Sequence, residues 1–529
     1  MPERLLGPMP APAPAPVPAD EGEPARRISP YRLLSLVAVL AAGAYGGVAW
    51  TRSALGARPS STASWFAPYV DTTVTPTYPF QSAAANLARQ SVLGFVVAKP
   101  GAGCTPSWGG AYTLAQADQE LQLGTRVAQL GQNGAGAIVS FGGQANTPLD
   151  VACHTTASLA RAYSAVIRHY DLRTVDFDVE GAALDDQAAN RRNAAAIRSL
   201  QLAARRRHHP LEVWLTLPVE PDGLQRNGLQ ALDSLLAARV ELAGLNVMSM
   251  DFSTPPSPGA TMLDLVEGSL QAADNQLAAA FQRAGVHSSP ARAWRQLGTT
   301  VMIGQNDVSG ERFTTADATG LVAFARRVGL ERISMWSLNR DSQCGAVFSE
   351  TGVSSNVCSG TPQSGLQFSR IFSGLSGVAP TVAPGGRYAT LPPQPDTNPA
   401  NAPFPLWSPN EPYPQGYKVV QDGEIYQAEW YNSDQDPSAQ LQTGATGPWL
   451  LIGPVLPSDH APRIATLLPG TYPTWSSSAT YHGGQRVMID GLGYVAKWDN
   501  QGASPAGEAT DPAGSPWKPL FTIPGEPAQ

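Results

Sequence analysis

The sequence predicts an α/β protein: a (β/α)8 barrel of parallel strands, followed by two small all-β modules and preceded by a single hydrophobic helix. Two observations carry the barrel and a third carries the modules. Short apolar runs alternate with amphipathic helical stretches from residue 65 to residue 338, and one of those runs alternates acid with apolar residues. Beyond residue 404 the chain repeats itself at a constant offset. Composition agrees with several domains. A chain of 529 residues exceeds one ordinary core. Its 15% charged content and its 51 Gly and 48 Pro exclude a coiled coil and a charged disordered chain. A net charge of −7 leaves no basic footprint, so no nucleic acid partner is expected.

Residues 1–30 are Pro/Ala-rich and lack hydrophobic periodicity, which predicts disorder. Tyr31 to Trp50 then carries Arg32 as its single charge. At 1.5 Å per residue this run can cross a hydrocarbon core of about 30 Å. Arg26, Arg27 and Arg32 on its N-terminal side favour an anchor with the chain end inside. The expectation is a single-pass cell-membrane protein with the rest outside, joined through residues 51–63. A cleaved signal peptide and a secreted protein are the alternative, with Ala54-Leu55-Gly56 as the small-residue site. Export permits disulfides.

The barrel strands are expected at Trp65–Val70, Val92–Ala98, Ala137–Phe141, Thr174–Glu180, Leu211–Leu217, Gly244–Met250, Leu297–Gly304 and Arg332–Leu338. Helical patterns fill Thr156–His169, Asp186–Arg206, Gly223–Arg239, Leu263–Ala284 and Ala316–Val328. This alternation argues a parallel sheet, and eight units argue a closed barrel over residues 64–378. No GxGxxG follows a strand, which argues against dinucleotide binding.

In Val175-Asp176-Phe177-Asp178-Val179-Glu180 the acids recur with period two, so Asp176, Asp178 and Glu180 share one face of the strand. The apolar residues between them face the helices. Like charges at this spacing raise at least one carboxyl pKa, which keeps a general acid protonated near neutrality. Glu180 stands at the C-terminal end of its strand, where barrel enzymes hold their chemistry.

Asp176 to Glu180 resembles the DxDxE signature of family 18 glycoside hydrolases, the chitinases and their relatives. Ser140-Phe141-Gly142-Gly143 resembles that family's SxGG motif, and Met248-Ser249-Met250-Asp251-Phe252 its MxxD-type motif. Trp336 matches the Trp of the eighth strand in this TIM barrel family. Trp65 to Tyr69 and Cys104 to Gly110 are similar to the bacterial branch, and the resemblance spans about residues 64–375.

The resemblance implies hydrolysis of β-1,4-linked N-acetylglucosamine polymers such as chitin by a substrate-assisted retaining route. Glu180 would be the acid and base, Asp178 the partner of the substrate acetamido group, and Asp176 the residue that holds Asp178. Asp251, Met250, Trp336, Phe66 and Trp108 would contact substrate. No cofactor and no metal are implied, and a monomer is expected. Two positions depart from the family pattern: Arg173 stands where a further Asp begins it, and Met250 where a Tyr often precedes the Asp. The rival readings are a catalytically silent glycan-binding protein and an endoglycosidase acting on another N-acetylated glycan. Cys344 and Cys358 bracket a short loop after the eighth strand, and a local bridge is expected there. Cys104–Cys153 would join two loops at the active-site end.

Residues 379–403 read as a Pro-rich linker. Two modules follow at 404–455 and 471–521. Trp407, Tyr413, Val419, Gly423, Tyr426, Ala428, Trp430 and Trp449 recur 68 residues later as Trp475, Tyr481, Val487, Gly491, Tyr494, Ala496, Trp498 and Trp517. The pattern resembles family 5/12 carbohydrate-binding modules, with Trp430, Tyr431 and Trp498 as the candidate sugar-facing aromatics. Asp499 replaces the Tyr431 of the first copy.

Overall fold

The computed structural model describes residues 64–253, 259–286, 293–346, 353–375, 402–409, 411–443, 446–461, 466–506, 514–521 and 525. The expected N-terminal stretch, hydrophobic helix and first linker lie outside the described residues, as does nearly all of 379–403. Among the described residues no helix is long and apolar enough to cross a membrane.

The barrel closes through its first strand. Strand β1 is split into Trp65–Phe66 and Tyr69–Asp71. Then come β2 (Gln90–Ala98), β3 (Gly136–Gly142), β4 (Thr174–Asp178) and β5 (Glu212–Pro218). The circuit ends with β6 (Leu242–Met248), β7 (Leu297–Met302) and β8 (Arg332–Trp336). Neighbours pair in parallel around the circuit; the first piece of β1 pairs with β8 and the second with β2.

Helices cover the outside: α1 (Leu123–Gln132), α2 (Thr156–His169), α3 (Gln187–Arg206), α4 (Arg226–Ala237), α5 (Met262–Arg283), α6 (Thr315–Val328) and α7 (Gln367–Ser373). Their starts are chemically marked. Thr155, Thr261 and Thr314 each close a capping box, and the Asp186 carboxylate accepts from the N–H groups of Ala188 and Ala189. The expectation of a strand reaching Glu180 is corrected. Pairing stops at Asp178, and Glu180 instead opens the short helix Gly181–Asp185. Helix α1 was not anticipated.

Strand alternation sorts the side chains into two layers. Phe177 faces outward, with its ring 5.3 Å from Phe141 and 5.0 Å from Tyr163 of α2. Inside the barrel, Trp65, Ala67, Tyr69, Val92, Ile138 and Trp214 form a separate apolar cluster. Gly244 is required there, because a Cβ would stand 2.3 Å from the Trp214 ring.

Each C-terminal copy is a three-stranded antiparallel sheet: β9 (Lys418–Gln421), β10 (Glu424–Ala428) and β11 (Trp449–Pro454), then β12 (Arg486–Ile489), β13 (Leu492–Ala496) and β14 (Trp517–Pro519). The Asp-Gly turns have positive φ at both residues (52° and 77°; 52° and 79°), the conformation a two-residue hairpin needs. Tyr413, Val419, Tyr426 and Trp449 form one core, and their repeat partners Tyr481, Val487, Tyr494 and Trp517 form the other.

Candidate active site

Asp176 lies fully buried inside the barrel and is held from three strands. Its Oδ2 accepts from the Tyr69 hydroxyl (2.9 Å) and from Ser140 (2.7 Å), and its Oδ1 accepts from Thr216 (2.7 Å). The Asn246 amide extends this net by donating to Thr216 (3.1 Å) and Thr300 (2.7 Å). Arg332, also fully buried, brings its guanidinium to 3.7 Å from Asp176 Oδ1. That guanidinium lies 5.1–5.7 Å from the ring centroids of Trp214, Trp65 and Tyr69, within cation–π range.

Asp178 stands one step further along the same face. Burial, then the negative charges of Glu180 and Asp176, push its pKa well above the usual carboxylate range. Its Oδ1 is buried and takes no hydrogen bond from the described residues. Glu180 is half-buried at the strand exit. Burial first, then the charge of Asp251, push its pKa up to about 7, partly offset by the Gln144 N–H.

The two glycines of the loop after β3 have direct causes. A Cβ at Gly142 (φ 110°) would lie 1.9 Å from the Asp178 carbonyl oxygen, and one at Gly143 would lie 2.9 Å from the Phe95 ring. The Gly143 N–H donates to that same carbonyl at 3.0 Å. Glycine at both positions therefore lets the β3 loop close over the acid strand.

Asp251 has φ 50° and accepts from the N–H groups of Asp307 (2.7 Å) and Val308 (3.2 Å), which ties the β6 loop to the β7 loop. Met250, beside it, is half-buried. Trp336 ends β8, half-buried, and stacks on Phe95 with centroids 5.5 Å apart and planes 25° apart.

Two expected substrate contacts are placed elsewhere. Phe66 is buried in the outer core, 5.5 Å from Phe372 of α7, because it has the opposite strand parity to Trp65 and Tyr69. Trp108 is fully buried and donates its indole N–H to the Tyr170 hydroxyl at 3.0 Å. Cys104 is bonded to Cys153, and Cys344 to Cys358. In the modules Trp430, Tyr431 and Trp498 are about half to two-thirds exposed (50%, 67% and 47%). Among the described residues no group of His, Cys, Asp and Glu could hold a metal ion.

No family model matches the chain. Its sequence is 33% identical over 281 residues to the probable bifunctional chitinase/lysozyme of Escherichia coli (strain K12), covering 52% of this chain and 31% of that protein. It is 31% identical over 283 residues to Endochitinase 11 of Metarhizium anisopliae, covering 52% of each. The chain thus spans about a third and about a half of these two relatives. The catalytic domain of the hyperthermophilic chitinase from Pyrococcus furiosus shares the fold: TM-score 0.50, 24% identity, 59% of this chain and 95% of that one. The barrel is chitinase-like: it is similar in sequence to these two relatives over about half of the chain and shares the fold of the Pyrococcus chitinase domain. In this chitinase-like barrel sequence reasoning missed Phe95, Thr216, Asn246 and Arg332. A signal for Arg332 existed: Arg332, Ser334 and Trp336 share the inward parity of β8.

Proposed function

We propose that the chitinase-like barrel hydrolyses β-1,4-linked N-acetylglucosamine polymers with the substrate's own acetamido group as nucleophile. One observation carries this reading. A buried carboxyl, Asp178, has an oxygen that takes no hydrogen bond from the described residues, beside a second carboxyl, Glu180, whose pKa is pushed up to about 7.

In the proposed sequence Glu180 gives its proton to the glycosidic oxygen as the acetamido carbonyl oxygen bonds to C1. The C1–O bond to the leaving sugar breaks, and an oxazolinium ion forms. Asp178 accepts from the acetamido N–H through its free oxygen. Glu180, now a carboxylate, takes a proton from water as that water attacks C1 and opens the ring. Net retention follows. Asp176, fixed by its three hydroxyl donors, acts on Asp178 through its charge, which favours the protonated form of Asp178. Trp336 offers an aromatic face for the sugar ring.

The exposed Trp430, Tyr431 and Trp498 support a carbohydrate-binding role for the two small modules. Two disulfides and the apolar run at 31–50 support a barrel outside the cell membrane.

The test is hydrolysis of N-acetylglucosamine oligomers with anomeric analysis, for the wild-type chain and Glu180→Gln. The expected result is a β-anomeric first product and a loss of at least about 10²–10⁴ in the variant. A first product that is mainly α, or cleavage of fully deacetylated oligomers, would count against the neighbouring-group route. A folded wild-type chain that binds the oligomers without cleaving them would leave a glycan-binding protein.

A further inference from the structure

Helix α1 is buried on every side. Each residue from Thr125 to Gly131 is buried, including the polar Thr125, Arg126 and Gln129. An outer barrel helix ordinarily keeps one polar face in water. Helix α3 does so, with Arg191, Ala195 and Ser199 exposed at four-residue spacing.

The cover on α1 comes partly from the first C-terminal copy. The Lys418 ammonium donates to the side-chain oxygen of Gln122, and Gln81 donates to the Leu451 carbonyl of β11 at 3.2 Å. Gln81 in turn accepts through its own carbonyl from Asn133, just past α1, at 2.7 Å. Leu456 is buried and reaches Gly124, where a Cβ would stand 3.4 Å from its methyl and 3.0 Å from Asp118 Oδ1 of the barrel. The closest approach is Gly453. A Cβ there would meet the Thr125 carbonyl oxygen at 2.7 Å and the Gln129 Cβ at 2.8 Å. A backbone crossing that admits no side chain is a fitted surface.

The internal repeat supplies a control. At the same offset of 68, Gly453 becomes Phe521 and Leu451 becomes Pro519. Phe521 packs edge-on against Tyr494 of its own copy, with centroids 5.4 Å apart. The core residues of the two copies match, and Lys418 matches Arg486, whereas Gly453, which crosses α1, and Leu451, which meets Gln81, do not. The divergence sits at the contact.

We propose that the face of α1 is a dedicated dock for the first copy alone, so that barrel and first copy form one cooperative folding unit. The second copy lacks the glycine crossing and stands outside that unit. Barrel and first copy share one stability, although the intervening composition reads as a linker. This holds whether or not the barrel cleaves chitin, because it concerns packing and not chemistry.

Calorimetry of the full chain, with hydrogen exchange read at residues 123–132, 449–454 and 517–519, tests the proposal. In the wild-type chain 123–132 and 449–454 should exchange with the same protection and lose it in one transition. Gly453→Phe, which installs the residue of the second copy at a φ of 143° that also strains β11 itself, should speed exchange across 123–132 by about tenfold or more. Gly124→Gln attacks the same contact from the barrel side while favouring helix, and should separate a module transition from the barrel transition. Phe521→Gly should leave 123–132 unchanged. A first copy that melts apart from the barrel in the wild-type chain, or unchanged exchange at 123–132 in both Gly453→Phe and Gly124→Gln, would overturn the dock.

Discussion

Glu180 and Gly142 make opposite kinds of demand on the site. Glu180 needs its environment to hold a proton that water would remove. With its pKa raised from 4.5 to about 7, the acid form persists up to that pH and is lost above it. We therefore expect kcat/KM to fall as pH rises through about 7. Burial raises this pKa first and Asp251 second, so Asp251→Asn removes an upward push. The alkaline limb in that variant should move to lower pH; a limb that stays in place or moves up would show that Asp251 does not act on Glu180. Gly142 needs only space. Gly142→Ala forces its methyl into the Asp178 carbonyl, at a φ that L residues rarely adopt. The cost should exceed the about 1–3 kcal/mol typical of overpacking. A urea titration checks it, and an unshifted midpoint would contradict the close approach.

At the scale of elements, the acid strand was the most legible part of the chain because period two survives in sequence. Asp176 and Asp178 share a face with no structure needed. Phe66 was equally legible by parity with Trp65 and Tyr69, yet motif resemblance pulled it toward the substrate. Thr216, Asn246 and Arg332 were harder. Thr216 and Asn246 are single polar residues inside apolar runs and Arg332 opens its strand, and only barrel closure brings Thr216 and Arg332 onto Asp176 with Asn246 behind Thr216. Helix α1 was missed although Gln122, Thr125, Gln129 and Gln132 recur at helical spacing opposite Leu123, Val127 and Leu130; what sequence does not show is that this polar face is buried.

The loops above the strands are tied by covalent bonds. Cys104–Cys153 closes a separation of 49 residues and Cys344–Cys358 one of 14. Loop entropy assigns them about 4 and about 3 kcal/mol as ceilings. The double Cys104→Ser, Cys153→Ser variant should therefore lose more stability than Cys344→Ser, Cys358→Ser. Chemical denaturation orders the two pairs, and the reverse order would mean that native packing, not loop length, sets their worth.

For the whole molecule, the repeat was visible in sequence and the dock was not. Offset matching aligns the aromatics that form each core, and those residues carry no information about what a copy leans on. The Pro-rich composition of 379–403 argued for independent domains, whereas the contacts across α1 argue for dependence. A chain ending near Ala379 uncovers Thr125, Gln129 and Gln122 together with the apolar edge at Gly124. Its barrel should melt a few degrees lower than the full chain, since about 1 kcal/mol corresponds to about 1–2 °C for a barrel of this length. Removing residues 471–529 keeps the dock and costs little beyond the hydrogen bond from the Lys418 N–H to the Gly525 carbonyl. Melting curves of the two truncations decide it; equal curves would remove the reason to treat the copies differently.

The glycine crossing at residue 453 also bears on how such proteins can be taken apart and recombined. A unit with no fitted backbone crossing on its surface can be spliced to an unrelated catalyst and keep its shape, and the second copy, joined to the first through the Gly525 carbonyl, is nearer to that case. The first copy is a poor cassette. Transplanted alone it carries a bare backbone groove shaped for one particular helix, so a graft needs α1 with it or a new residue at 453. Two stretches that look like duplicates are therefore not interchangeable stock, and the difference rests on whether a Cβ is present.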